Sequence, residues 1–351
     1  MRQMFANLVS QTPSGTYVPW LAKSWTVNSD ATLWTFDLRT GVTFQDGAPF
    51  NASAVCYNLN RIVSPAEASQ YAISLLGPYK SCVALSTYKV QVTFSHGYEP
   101  FLEALSEPFL GMVSPRAAAA AGEANFSLAP VGGGSGPFEF VKWVQNGYLE
   151  LKAWPGYHWP PAGSSHTGPA YLSKLIFDIV PQASTRVGAV ESGQYNAAET
   201  ILPSVYSSVK SNPSLRAYDI PESGAPYQLF FNTAKAPWNS LQMRAAVRDS
   251  IDVPAIISSL YNNVESQAWG PLASNTPYFD KRLVHSFSYN PARANAIFNS
   301  LGWKMTSSGY RMKNGQVLTL EKNDFTPDRT SRQEVATFER SPAFVRVLQH
   351  R

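Results

Sequence analysis

Apolar and polar residues alternate in two short runs of the first hundred residues. Trp34, Phe36 and Leu38 share one face of Leu33–Leu38. Tyr88, Val90, Val92 and Phe94 alternate with Lys89, Gln91, Thr93 and Ser95. A period of two places each apolar set on one side of a pleated strand, so both runs predict half-buried strands. Ser24–Val27 precedes the first run across the turn formers Asn28-Ser29-Asp30, which predicts a hairpin. Asp46-Gly47 marks a tight turn before Pro49. The period then changes. Val55, Leu59 and Ile62 recur at spacings of four and three, on a helix that Asn51 can cap.

Further along, Phe101–Leu105 reads as a short helix after Pro100, and Gly132–Gly136 as a glycine-rich loop. Phe138 and Phe140 run to Asn146-Gly147, a pair that favours a type I′ turn, and the chain returns through Tyr148–Ala153. Prolines and glycines crowd Trp154–Pro169, which predicts a crossing between subdomains. Leu175–Val180 is an apolar strand interrupted by Asp178, followed by a helix through Val187 and Val190 that stops at Gly193. That strand–helix order is an α/β signal. Tyr227–Asn232 reads as another strand, and Leu241–Ile251 as a helix starting near Asn239 or Ser240. Asn290 and Pro291 open a helix with Ala294, Ile297, Phe298 and Leu301 as its buried stripe and Gly302 as its stop. Tyr310–Lys313, Asn314-Gly315 and Val317–Leu320 form a third hairpin.

Composition narrows the class. The 351 residues exceed one minimal core and suggest two lobes. With 44% hydrophobic and 15% charged residues the chain is globular. Aromatic content of 13% and 26 prolines suit a loop-rich protein that recognises ligands with rings. The net charge of +4 is spread thinly, and no Lys/Arg run exceeds two, so a nucleic-acid footprint is unsupported. No stretch approaches a membrane span, and Met1–Ser10 does not have the form of a signal peptide. The two cysteines, Cys56 and Cys82, fit either one disulfide of an exported protein or two buried thiols.

Candidate chemistry is sparse. The histidines 96, 158, 166, 285 and 350 fall in no metal-ligand spacing, so no metal site and no cofactor is expected. Gly132–Gly136 lacks the Lys-Ser/Thr of a phosphate loop, and Ser135 stands fourth rather than third for a nucleophile elbow. A flexible structural loop is the expectation there, and no catalytic residue is expected anywhere.

Four ordered segments resemble the peptide/nickel class of ABC-transporter solute receptors. The first runs through Leu21-Ala22-Lys23-Ser24-Trp25, Trp34–Arg39, Gly41–Phe44, Asp46-Gly47 and Pro49-Phe50. The second is Pro130–Phe138, ending Gly136-Pro137-Phe138, although the family usually has a bulkier residue among these glycines. The third is Phe231-Asn232-Thr233 with Met243–Val247 and Ile251-Asp252. The fourth is Tyr289-Asn290-Pro291 through Gly302-Trp303 and the Asn314-Gly315 hairpin.

The resemblance implies an α/β fold of the two-lobed, type II periplasmic-binding-protein kind with an extra subdomain in lobe I, incomplete in this chain. It implies residues 1–165 as that subdomain, 166–236 as part of the lobe I core, and 237–322 as the start of lobe II. The first crossing would lie near Ala234–Pro237. Residues 323–351 make an atypical tail, in which 331–336 could start a helix and 344–351 does not continue the family's strand. A sequence truncated at both ends is the matching expectation.

By the same resemblance the function is solute capture for an ABC importer outside the cytoplasm, with peptides or oligopeptides as the solute and permease subunits as membrane partners. Peptide capture of this kind resembles strand addition, which leaves little side-chain signature. The implied ligand residues are Tyr71; Gln228, Phe230 and Asn232 on one face of a strand; and the loop Trp269-Gly270-Pro271. Each has a plainer structural reading as core or surface. An exported parent would make Cys56–Cys82 a disulfide. The alternatives are a remnant that folds partly and binds nothing, a receptor for nickel, a metallophore or another solute, and a hydrolase.

Overall fold

The computed structural model describes residues 1–65, 69–323 and 346–350. The chain divides into two compact units, Met1–Pro181 and Gln182–Arg351.

The first unit contains, in order, β1 (Val9–Gln11), β2 (Tyr17–Pro19), β3 (Ala22–Val27), β4 (Leu33–Leu38), α1 (Ala52–Ile62), α2 (Gln70–Leu76), β5 (Tyr79–Ser86), β6 (Lys89–Phe94) and α3 (Phe101–Ser106). It continues with α4 (Pro115–Ala121), α5 (Glu123–Leu128), β7 (Phe138–Trp143), β8 (Tyr148–Ala153) and β9 (Lys174–Asp178). Strands β3-β4-β6-β5 form one antiparallel sheet, and β7-β8-β9 a second.

The alternation seen in the sequence fixes which face of the first sheet is buried. Trp34, Phe36 and Leu38 of β4 and Val90, Val92 and Phe94 of β6 all lie in the core. Phe101 of α3 meets Trp34, Phe36 and Phe94 edge-on at 5.8, 5.9 and 4.8 Å, a favoured arrangement of aromatic quadrupoles. Asn51 caps α1 by accepting from Ala54 N at 3.0 Å, and the stripe Val55, Leu59 and Ile62 is buried. The structure joins Cys56 of α1 to Cys82 of β5 in a disulfide, with 5.2 Å between the Cα atoms.

Buried polar groups join the second part of this unit to the first. The Asn58 amide donates to Ala54 O and Val113 O at 2.8 and 2.9 Å and accepts from Val113 N at 2.9 Å. Asn58→Ala strands the buried Val113 N–H and C=O, so it should cost about 2 kcal/mol of stability. A urea melt of the variant matching that of the parent chain would refute this reading.

The Asp46-Gly47 turn is anchored in the same way. Burial raises the Asp46 carboxyl, but donors from Ala48 N, Ser114 Oγ and Arg116 outweigh it and hold the group below the usual carboxylate range. Gly47 sits at φ +82°, the left-handed region that favours glycine.

The glycine-rich loop is fixed rather than flexible. Ser135 is fully buried; its hydroxyl donates to Met112 O at 3.0 Å and accepts from Ala6 N at 3.1 Å. Gly132 O, Gly133 O and Gly134 O accept from Asp46 N, Ser114 N and Gln45 N. Trp159 Nε1 donates to Ser135 O at 2.8 Å.

The β7–β8 hairpin turns one residue earlier than the Asn146-Gly147 pair predicts. Gly147 N donates to Val144 O at 2.9 Å, so Gln145 and Asn146 are the central residues. Asn146 takes φ +58°, while Gly147 is not left-handed, and a type I′ turn would need both of them to be. The register of the sheet behind the turn selects the turn.

The second unit contains α6 (Ala183–Glu191), α7 (Pro203–Ser211), α8 (Leu241–Asp249), α9 (Val253–Tyr261), α10 (Pro291–Ser300), β10 (Lys304–Met305), β11 (Arg311–Lys313), β12 (Gln316–Val317), β13 (Thr319–Asn323) and β14 (Arg346–His350). Its core lies where α8 and α10 bring together Met243, Ala246, Val247, Ala294 and Phe298 with Leu318 and Leu320. Asn290 caps α10 through Arg293 N at 2.9 Å, and Gly302 follows its end at φ +85°. Asn314 and Gly315 both take positive φ between β11 and β12, as a type I′ turn requires. Arg311 is buried over the Phe298 ring at 4.8 Å, and burial pushes its pKa down.

A further expectation changes. Residues 227–232 take no strand conformation. Asn232 turns the chain instead: its side chain accepts from Ala234 N at 3.1 Å and its carbonyl from Lys235 N at 3.2 Å, an Asx-type turn. Residues 346–350 form β14, parallel to β13. The helix expected over 331–336 lies outside the described residues.

Candidate functional site

Tyr71 belongs to the first unit. Ser69 caps α2 through Ala72 N, and Ala72 and Leu76 enter the core. Tyr71 is therefore turned outward and is 54% exposed. Its ring meets Phe109 edge-on, with centroids 4.7 Å apart. Phe109 sits in the 3₁₀ turn Pro108–Leu110, between Pro108 and the buried Leu110. Gly111 behind it approaches Phe5 so closely that a Cβ there would lie 2.7 Å from Phe5 Cβ. An exposed aromatic pair on an anchored backbone has the shape on which a ring or an amide plane can stack. Sequence reasoning missed Phe109, which carries no periodic pattern; Pro108 ahead of it was the one available sign.

The other candidates belong to the second unit. Phe231 packs on Trp238 at 5.3 Å and against the α8–α10 core, while Phe230 is 86% exposed. Successive side chains thus point to opposite sides although no strand forms. Gln228 is half-buried, and Asn232 is exposed in its turn. Trp269 is half-buried, with its ring against His285 at 4.7 Å and Phe287 at 5.3 Å. Pro271 is exposed. A Cβ on Gly270 would fall 2.8 Å from Leu283 Cδ1, the movable end of a side chain.

Hydrogen bonds hold the segment before Tyr227 to the one after Pro271. Ala273 N donates to Gly224 O and Gly224 N to Thr276 Oγ1, both at 2.7 Å, and Asn275 Nδ2 donates to Pro221 O at 2.9 Å. The chain leading into residues 227–232 is thus joined to the chain leaving Trp269-Gly270-Pro271.

Trp269 is tied to α8 as well. The Arg248 guanidinium lies 4.8 Å over Phe287 and donates to Asp249 Oδ1 at 2.8 and 3.0 Å. Arg293 Nε stands 3.2 Å from the other oxygen of this buried carboxylate. That contact lacks hydrogen-bond geometry, so the charges rather than a directed bond hold the pair. Two guanidiniums compensate a carboxylate that is 1% exposed. Among the described residues, no three His, Cys, Asp or Glu side chains group as metal ligands.

Residues 16–338 match the profile of bacterial extracellular solute-binding proteins, family 5 middle. The chain belongs to this family. It is 30% identical over 343 residues to the nickel-binding periplasmic protein of Escherichia coli (strain K12), a match over 94% of this chain and 63% of the relative. It is 26% identical over 286 residues to the glutathione-binding protein GsiB of the same strain, covering 81% of this chain and 52% of that one. The chain thus spans less than two thirds of these family members' length.

Among solved structures, the oligopeptide-binding protein AppA from Bacillus subtilis, in complex with a nonapeptide, superposes with a TM-score of 0.75 at 18% identity. That superposition covers 99% of this chain and 68% of AppA. The fold is therefore the family's α/β, type II periplasmic-binding fold, represented over about two thirds of its length. No helix among the described residues is long and apolar enough to cross a membrane.

Proposed function

We propose that the chain captures a small solute for an ABC importer outside the cytoplasm, that peptides or oligopeptides are that solute, and that permease subunits receive it. It performs no chemistry of its own in this reading. The family match over residues 16–338 carries the proposal. Two features of the structure support the peptide class. The Tyr71–Phe109 pair offers exposed aromatic surface, and residues 228–232 run outside any sheet. Extended ligands are held through main-chain pairing with loose side-chain pockets, so few charged groups are needed.

A second reading, a nickel complex as the solute, is favoured by the 30% identical nickel-binding relative. Thermal melts with pooled di- to pentapeptides, glutathione and nickel–histidine separate the two. A peptide at a hundredfold excess over its Kd should add ~2.7 kcal/mol of stability. Tyr71→Ala and Phe109→Ala should each weaken that peptide about tenfold, or ~1.4 kcal/mol. A shift with nickel–histidine alone would replace the peptide by the metal complex. A cooperative melt that no solute moves would sink solute capture by this chain.

A further inference from the structure

We propose that the Cys56–Cys82 bond is a positioning device for Tyr71: by closing the stretch of chain that carries α2, it keeps the Tyr71 ring on Phe109 and so supports solute binding. This rests on Tyr71 touching the solute, as proposed above. Cys56 lies on α1 and Cys82 on β5, at a sequence separation of 26. Helix α2 lies inside the closed stretch, whereas Phe109 lies outside it. The ring contact between Tyr71 and Phe109 therefore spans the boundary of the loop that the bond closes.

Helix α2 needs that support. It has 7 residues, too few to persist on helix formation alone. Ala72 and Leu76 are buried, and Ile73 and Leu75 pack at the rim of the same core. Its C-terminal end is clamped. Tyr98 Oη donates to Leu75 O at 2.6 Å, and Gly77, at φ +64°, lets the chain turn directly against the Tyr98 ring. From Gly77 the chain passes into β5, which is joined to α1 by a hydrogen bond and by a covalent one. Tyr79 Oη donates to Asn60 Oδ1 at 2.5 Å, and Cys82 then bonds to Cys56. Helix α1 is the firm partner, with Val55, Leu59 and Ile62 buried.

The effect is on local opening rather than on the folded geometry. Short, partly buried elements open by themselves, well before a whole unit unfolds. With the bond closed, α2 and the first residues of β5 can open only as part of a ring tied to α1, which restricts the freedom that opening gains. With two thiols in its place they open together and gain that freedom. Tyr71 is then held less tightly against Phe109, and a solute that stacks on it must order it at a cost in affinity.

Hydrogen exchange and solute binding on the full chain test this. The forms compared are the oxidised chain, the chain reduced by a dithiol, and Cys56→Ser combined with Cys82→Ser. In the reduction the dithiol gives up two electrons and two protons and closes to its own disulfide, while each cysteine sulfur gains one proton. The amides of Ile73–Gly77 should exchange about tenfold faster once the bond is open, and reoxidation should restore the parent rate. A bond that acts only on the fully unfolded chain would speed the slowest amides of β4 and β6 and leave Ile73–Gly77 unchanged, which overturns the proposal. The tightest binder in the di- to pentapeptide pool should bind the open forms about threefold more weakly, and the difference should vanish in a Tyr71→Ala background. Equal affinity with the bond open and closed overturns the proposal, and so does a loss that persists without Tyr71. If no peptide of the pool binds the oxidised chain, the solute reading fails by itself, and the exchange rates still decide whether the bond holds Tyr71 in place.

Discussion

Opening the Cys56–Cys82 bond should lower the stability of the first unit by about 3 kcal/mol, whether by reduction or by replacing both cysteines with serine. The bond closes a loop with a sequence separation of 26. Its removal gives the unfolded chain back the freedom of that loop, which is the larger part of the loss. The folded unit keeps its packing, because Val55 and Leu59 of α1 remain buried against the sheet without it. Tryptophan fluorescence is a suitable probe, since Trp20, Trp34 and Trp159 are buried in this unit. Urea melts with and without reductant should separate clearly. Identical melts, or two thiols that react with alkylating agent in the unreduced denatured chain, would remove the disulfide from the account.

Gly134→Ala should be as damaging, at about 3 kcal/mol or more. A Cβ at this position would stand 2.3 Å from Met4 O and 2.6 Å from Gln45 Oε1. The first neighbour is backbone, and the same Met4 carbonyl accepts from Ser135 N and Gly136 N. Relief of the clash would therefore break bonds that tie the chain start to the loop. Gly188→Ala in α6 provides the contrast. Nothing lies within 4 Å of its added Cβ and its φ is ordinary, so it should be neutral or stabilise by up to ~1 kcal/mol. If Gly134→Ala melts with the parent chain, the close approach of loop and chain start is wrong.

Local rules account for much of what the sequence revealed. The alternation in Leu33–Leu38 and in Lys89–Phe94 identified the buried faces, because a pleat sends successive side chains to opposite sides. Asn51 and Asn290 announced helix starts, because a short polar side chain satisfies an otherwise orphaned N–H. The family was legible for the same reason: its recognisable segments are mostly capped helices and alternating strands.

The candidate site was far less legible. Tyr71 was singled out only by resemblance, and its ring contact Phe109 not at all, since contact between residues 71 and 109 leaves no periodic trace. The strand expected at 227–232 failed because a strand needs a neighbour for its outward main-chain groups, and Asn232 bends the chain away.

The sequence by itself determined the family, the α/β class, the buried faces of the first sheet and the caps of its main helices. Each of these depends on neighbours within a few residues. The tertiary structure alone decided that the glycine-rich loop is a packed joint and that the β7–β8 turn closes at Gln145-Asn146. Those outcomes rest on which distant backbone arrives within hydrogen-bonding reach, and no local pattern records that.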